Sequence, residues 1–127
     1  MSGKVTTHVL DLAAGKPVVG ISIELWYLGE ECVRAEAAHE PRFIGAYRTN
    51  EDGRVDEPLL EGENIQSGIY EIIFAAGEFF RRTAYLSAIS ESIFDKIPIR
   101  FRIHDKSSHY HVPLLVAPGG YSTYRGS

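Results

Sequence analysis

The chain has 127 residues, 44% hydrophobic and 11% aromatic, which suffices for one compact domain and leaves no room for a second independent core. A formal net charge of -4 and a pI of about 5.7 provide no general positive field for phosphates, so a nucleic-acid or anionic-membrane surface is excluded as the working function. Cys32 is the sole cysteine, so one chain can build neither a disulfide framework nor a cysteine-rich zinc site.

Met1 to Lys4 runs straight into the alternating Val5 to Leu10, with no apolar core of signal-peptide length, and no segment is long enough to span a bilayer; the expectation is a cytoplasmic protein without a membrane partner. In this first strand His8 shares a face with Thr6 and Leu10. After the turn signal Ala14-Gly15-Lys16-Pro17, the apolar Ile21, Ile23, Leu25 and Tyr27 alternate with Ser22, Glu24 and Trp26, the period of a strand. Glu30 to Glu40, with Ala35, Ala37 and Ala38 among charges, reads as a solvated loop between two strands. Turns follow at Glu51-Asp52-Gly53 and Gly62 to Asn64, then a strand at Ile69 to Phe74. Glu78 to Phe94 mixes aromatics, arginines and serines and holds room for one short helix. Ile97, Ile99, Phe101 and Ile103, with Arg100 and Arg102 between them, and Tyr110 to Val116 are further strands, separated by the turn His104 to Ser108. Beyond Pro118-Gly119-Gly120 the ending reads as an edge strand, Tyr121 and Thr123 on one face, Ser122 and Tyr124 on the other. With no repeat and no flexible linker, residues 1–127 are expected to form a single all-β domain, a two-sheet β-sandwich with one short helix.

Three elements carry candidate chemistry: His8, Arg54 and the C-terminal third from His109 through Ser127. His8 lies within the first strand, where a lone histidine is ordinarily just a half-exposed strand residue. His109 and His111 share one face of their strand while Tyr110, Val112 and Leu114 share the other, so two imidazoles point together. Such a pair, with His8 as a third ligand, could hold a metal, but no carboxylate motif such as His-Glu-x-x-His accompanies it, and acid-base use is the simpler reading because imidazole titrates near ~6.5. Arg54 and Arg48 flank one short hairpin, and a permanently charged guanidinium beside histidines suits a reaction in which negative charge builds on a carbonyl oxygen. Spacing alone does not choose between the two arginines. The ending Tyr124-Arg125-Gly126-Ser127 is more specified than chain ends usually are.

His8-Val9-Leu10-Asp11 with Gly15-Lys16-Pro17, then Thr49-Asn50-Glu51-Asp52-Gly53-Arg54, then His109 to Leu115, and finally Tyr124-Arg125-Gly126-Ser127 occur in the order found in 5-hydroxyisourate hydrolases of the transthyretin-like family, which the chain resembles nearly end to end. The resemblance implies the transthyretin fold and a homotetramer with active sites in clefts at the dimer–dimer interface. It also implies that His8, Arg54, His111 and the terminal tetrapeptide line the substrate cleft, with Arg48 as second choice, and that neither metal nor cofactor is needed. Glu30 to Arg42 and Ser87 to Ser92 look longer than the family pattern and are expected to be surface loops.

The implied reaction is hydrolysis of 5-hydroxyisourate to 2-oxo-4-hydroxy-4-carboxy-5-ureidoimidazoline. His111, helped by His8, would deprotonate water; Arg54 would hold the oxyanion; Tyr124 and the tail through Ser127 would close over the substrate. The rival is a non-catalytic transthyretin-like binding protein with a small ligand in the same cleft. A secreted adhesion sandwich would instead need a signal peptide and exposed apolar patches. His39 and His104 fall in loops and receive no role, nor does Cys32.

Overall fold

Alternation shapes the first element: in β1 (Lys4–Asp11) Val5, Thr7, Val9 and Asp11 are buried while Thr6, His8 and Leu10 are half-exposed, so one strand serves the core with one face and presents polar side chains with the other. The computed structural model describes residues 3–30, 40–83 and 92–127. The other described strands are β2 (Lys16–Pro17), β3 (Ser22–Gly29), β4 (Arg42–Arg48), β5 (Leu60–Glu61), β6 (Gly68–Ala75), β7 (Lys96–Ile103), β8 (His109–Ala117) and β9 (Gly120–Thr123). They form two sheets. One has the order β2-β1-β8-β9, with β5 also on β1; the other has the order β4-β3-β6-β7.

Between the sheets lies one apolar core, in which Val5, Val9, Leu114 and Val116 of the first sheet join Ile23, Leu25, Ile72 and Phe74 of the second. Burying each such side chain stabilises the fold by about 1.5–3 kcal/mol before chain entropy is counted, so core positions on β1 and β8 fix their strands firmly. The buried polar groups are bonded: Thr7 donates to the Val112 carbonyl at 2.7 Å, and Thr49 donates to Val18 at 2.7 Å while accepting the Ile21 amide. The short helix expected after Glu78 begins slightly earlier, as α1 (Ala76–Thr83), burying Phe79 and Phe80 and placing Glu78 in its first turn and Arg81 and Arg82 in its last, as the helix dipole favours.

Two features exceed the periodicity. β4 has no clean apolar alternation because most of it is exposed or half-exposed, Phe43 included. β1 and β8 pair in parallel, a crossover connection that local pattern cannot reveal. The loops expected over Glu30 to Arg42 and Ser87 to Ser92 fall largely at 31–39 and 84–91, outside the described residues, as do Cys32 and His39. No helix among the described residues is long and apolar enough to cross a membrane.

Candidate active site

The outer face of the β1–β8 pair gathers the histidines. In the parallel register Lys4 stands beside His109, Thr6 beside His111 and His8 beside Pro113, so one strip of sheet carries Thr6, His8, His109 and His111. The two β8 imidazoles have centroids 6.4 Å apart. Thr6 Oγ1 lies between them, 2.8 Å from His111 Nδ1 and 2.9 Å from His109 Nε2. His8 Nε2 is 2.8 Å from the Asp52 carbonyl oxygen. A carbonyl only accepts, so Nε2 carries the proton and the free lone pair of neutral His8 is on Nδ1.

Arg54 reaches this face through a tightly built turn. Asn50 Oδ1 accepts the Asp52 and Arg54 amides at 2.8 and 3.2 Å, and the Asn50 amide donates to the Arg54 carbonyl at 2.7 Å. Gly53 sits at φ 77°, where other residues are strained, and a Cβ there would run into the Val9 carbonyl. The Val9 amide donates to the Gly53 carbonyl at 2.8 Å, and an isolated bridge pairs His8 with Arg54. This turn is therefore fastened to β1 on the side away from β8.

The tail approaches along the other flank. Beyond β9 the chain keeps the antiparallel register of β9 on β8, so that the Gly126 amide donates to the His111 carbonyl at 2.8 Å, forming a second isolated bridge. A Cβ on residue 126 would collide with Cδ2 of the His111 ring, so glycine is needed for steric reasons. Arg125 donates to the His109 carbonyl at 3.2 Å and lies 4.6 Å over the Tyr110 ring, while Tyr124 and Ser127 are exposed.

The structure thus brings His8, Arg54, His111 and Gly126 together. Arg48 donates to the Gly20 carbonyl at 2.9 Å, an acceptor it shares with Arg82. Sequence reasoning noted Thr6 on the face of His8 without giving it a role; its contact with His111 depends on the parallel pairing. Burial first, then the positive charges of Arg54, His109 and His8, push the His111 pKa below the usual imidazole value of 6.5. A value below 6.5 favours the neutral ring at pH 7, with Nδ1 engaged by Thr6 Oγ1. Among the described residues no group of three or more His, Cys, Asp or Glu is placed to hold a metal ion.

A two-sheet sandwich of transthyretin type, with three histidines and an arginine on one outer sheet face, is the class that fold and site define. Residues 5–126 match the HIUase/Transthyretin family, and the chain belongs to it. It is 47% identical to the 5-hydroxyisourate hydrolase of Halalkalibacterium halodurans over 127 residues, all of both chains. It is 48% identical to 5-hydroxyisourate hydrolase 2 of Rhizobium meliloti over 126 residues, 99% of this chain and 98% of that one. Among solved structures, Klebsiella pneumoniae 5-hydroxyisourate hydrolase is similar with a TM-score of 0.77 and 30% identity, over 98% of this chain and 99% of that chain. A crystal structure of (S)-allantoin synthase gives a TM-score of 0.83 and 39% identity over 99% of this chain, which spans 44% of that longer protein.

Proposed function

We propose that this chain is an enzyme that hydrolyses 5-hydroxyisourate to 2-oxo-4-hydroxy-4-carboxy-5-ureidoimidazoline in urate breakdown, acting as a single domain over residues 1–127. The observation that carries the proposal is the meeting of His8, Arg54 and His111 beside the tail, on a strip fastened by two bridges. Water attacks the ring carbonyl as Nε2 of His111 takes one of its protons; the tetrahedral carbon then releases the ring nitrogen, which receives that proton, and the carboxylic acid so formed loses water's second proton to solvent to become a carboxylate. General-base help of this kind is worth about 10²–10⁴-fold in rate. Arg54 holds the developing oxyanion, His8 assists the proton relay, and Tyr124, Arg125, Gly126 and Ser127 orient the flat polar substrate, with Arg48 a secondary binding residue. These steps use proton transfer and a fixed cation, so we assign the reaction no metal and no cofactor.

The strip of Thr6, His8, His109 and His111 lies exposed or half-exposed on an outer sheet face, open to a second copy that would complete the cleft. We accordingly propose a homotetramer whose clefts lie where two dimers meet, in a cytoplasmic setting. The direct test generates 5-hydroxyisourate in situ from urate with urate oxidase and follows its ultraviolet decay with wild-type protein and with His111→Ala. Strong acceleration that the variant loses is the expected result. Decay no faster than in buffer would end the hydrolase reading and favour the binding protein.

A further inference from the structure

We propose that Thr6 is a positioning residue, whose hydroxyl holds His111 in the tautomer with the proton on Nδ1 and the lone pair on Nε2. The inference rests on the hydrolase reading and assigns a part to a residue outside the motif set. Thr6 Oγ1 touches His111 Nδ1 at 2.8 Å and His109 Nε2 at 2.9 Å, both at hydrogen-bond length. A hydroxyl has one proton to give and two lone pairs to receive with. When one imidazole donates to it, it can donate to the other, so one oxygen couples the proton positions of both rings.

Of the arrangements this oxygen allows, those in which His111 donates from Nδ1 serve catalysis. If His111 donates from Nδ1 and Thr6 donates to His109 Nε2, then His111 Nε2 keeps its lone pair. After His111 takes a proton on Nε2, its Nδ1–H still donates to the same oxygen, so nothing has to rotate during the step. In the reverse arrangement Nε2 already holds the proton, and His111 could become charged only by taking a proton on the nitrogen that Thr6 occupies.

The surroundings hold the ring with its Nδ1 edge toward Thr6. Gly126 packs against the Cδ2 side of His111, leaving the Nδ1 side toward Thr6. Thr6 is fixed in turn, because it stands opposite His111 in the β1–β8 register between buried Val5 and Thr7, and its β-branched side chain has few rotamers. His109 is exposed, so the acceptor at the end of the chain of hydrogen bonds can exchange its own protons with solvent.

The test reads the tautomer. Long-range proton–nitrogen spectra of nitrogen-15-labelled wild type, Thr6→Val and Thr6→Ser at neutral pH distinguish a protonated Nδ1 from a protonated Nε2. Wild type and Thr6→Ser are expected to show His111 with Nδ1 protonated. Thr6→Val, equal in shape but without the hydroxyl, is expected to show a mixture within an otherwise folded spectrum. A wild-type His111 protonated on Nε2, or a Thr6→Val spectrum unchanged from wild type, would overturn the proposal. In the 5-hydroxyisourate assay, Thr6→Val should lose about 3- to 10-fold in kcat with KM nearly constant, because only a fraction of molecules then holds the competent base, and Thr6→Ser should recover most of the loss. Full activity in Thr6→Val would also overturn it. A wild type no faster than buffer would count against the hydrolase reading instead, while the tautomer spectra still decide the part played by Thr6.

Discussion

The two halves of the site are held by very different means. Thr6, His8, His109 and His111 stand on adjacent strands whose register runs unbroken from Lys4↔His109 to Asp11↔Val116, with the opposite face of both strands buried in the core. Arg54 and the tail come from a turn and a chain end, each joined to the strands by an isolated bridge and a few further hydrogen bonds. The imidazoles are therefore positioned by the same burial that stabilises the fold. The groups that complete the site depend instead on small steric conditions, a left-handed glycine at Gly53 and a missing Cβ at Gly126. Loss of function should accordingly separate from loss of stability in different ways in the two halves.

The largest effect should follow His111→Ala, which removes the base from the strand half. kcat/KM for 5-hydroxyisourate should fall by about 10²–10⁴-fold, while thermal unfolding changes little because the ring is half-exposed and not part of the apolar core. Arg54→Ala should cost about 10²–10³-fold, again with little change in the melting temperature. Gly53→Ala should contrast with both, destabilising the protein by about 1–3 kcal/mol in denaturant titration, since φ 77° and the Val9 carbonyl both oppose a side chain. An Arg54→Ala variant that melted much earlier than wild type would show that the turn half is structural, and the comparison would fail.

The same division explains what the sequence revealed. Alternation identified the faces of β1, β3, β7 and β8, including the shared face of His109 and His111, because burial on one side of a sheet leaves a period of two. It missed β4, which buries little, and it missed the contact of Thr6 with His111, since those residues are 105 apart and meet only through a parallel pairing that no local signal encodes. For the tail, the alternation of Tyr121 to Thr123 announced an edge strand. That the pairing then runs on to bring Gly126 beside His111 follows from the β8–β9 register, and from sequence it could be approached only through resemblance to a family. The choice of Arg54 over Arg48 has a similar origin: the two flank one turn, and their surroundings differ only in the fold, where Arg54 bridges His8 and Arg48 donates to the Gly20 carbonyl.

The smallest effect concerns pH, and it can show which half keeps His111 neutral. Burial is the leading cause of its lowered pKa, ahead of the charges on Arg54, His109 and His8. Folding therefore disfavours the imidazolium: above pH 6.5 both folded and unfolded chains leave the ring neutral and the group adds nothing, whereas as pH falls from 6.5 toward the folded value the unfolded chain binds the proton first and stability declines. The acid limb of kcat/KM should correspondingly have its midpoint below 6.5. His109→Asn removes one of the lesser charges and should raise that midpoint slightly. Gly126→Ala, which forces the tail away from the His111 ring and lets water in, acts on the leading cause and should raise it further. A greater rise in His109→Asn than in Gly126→Ala would mean that charge on the strands, rather than cover by the tail, holds the base in its neutral form.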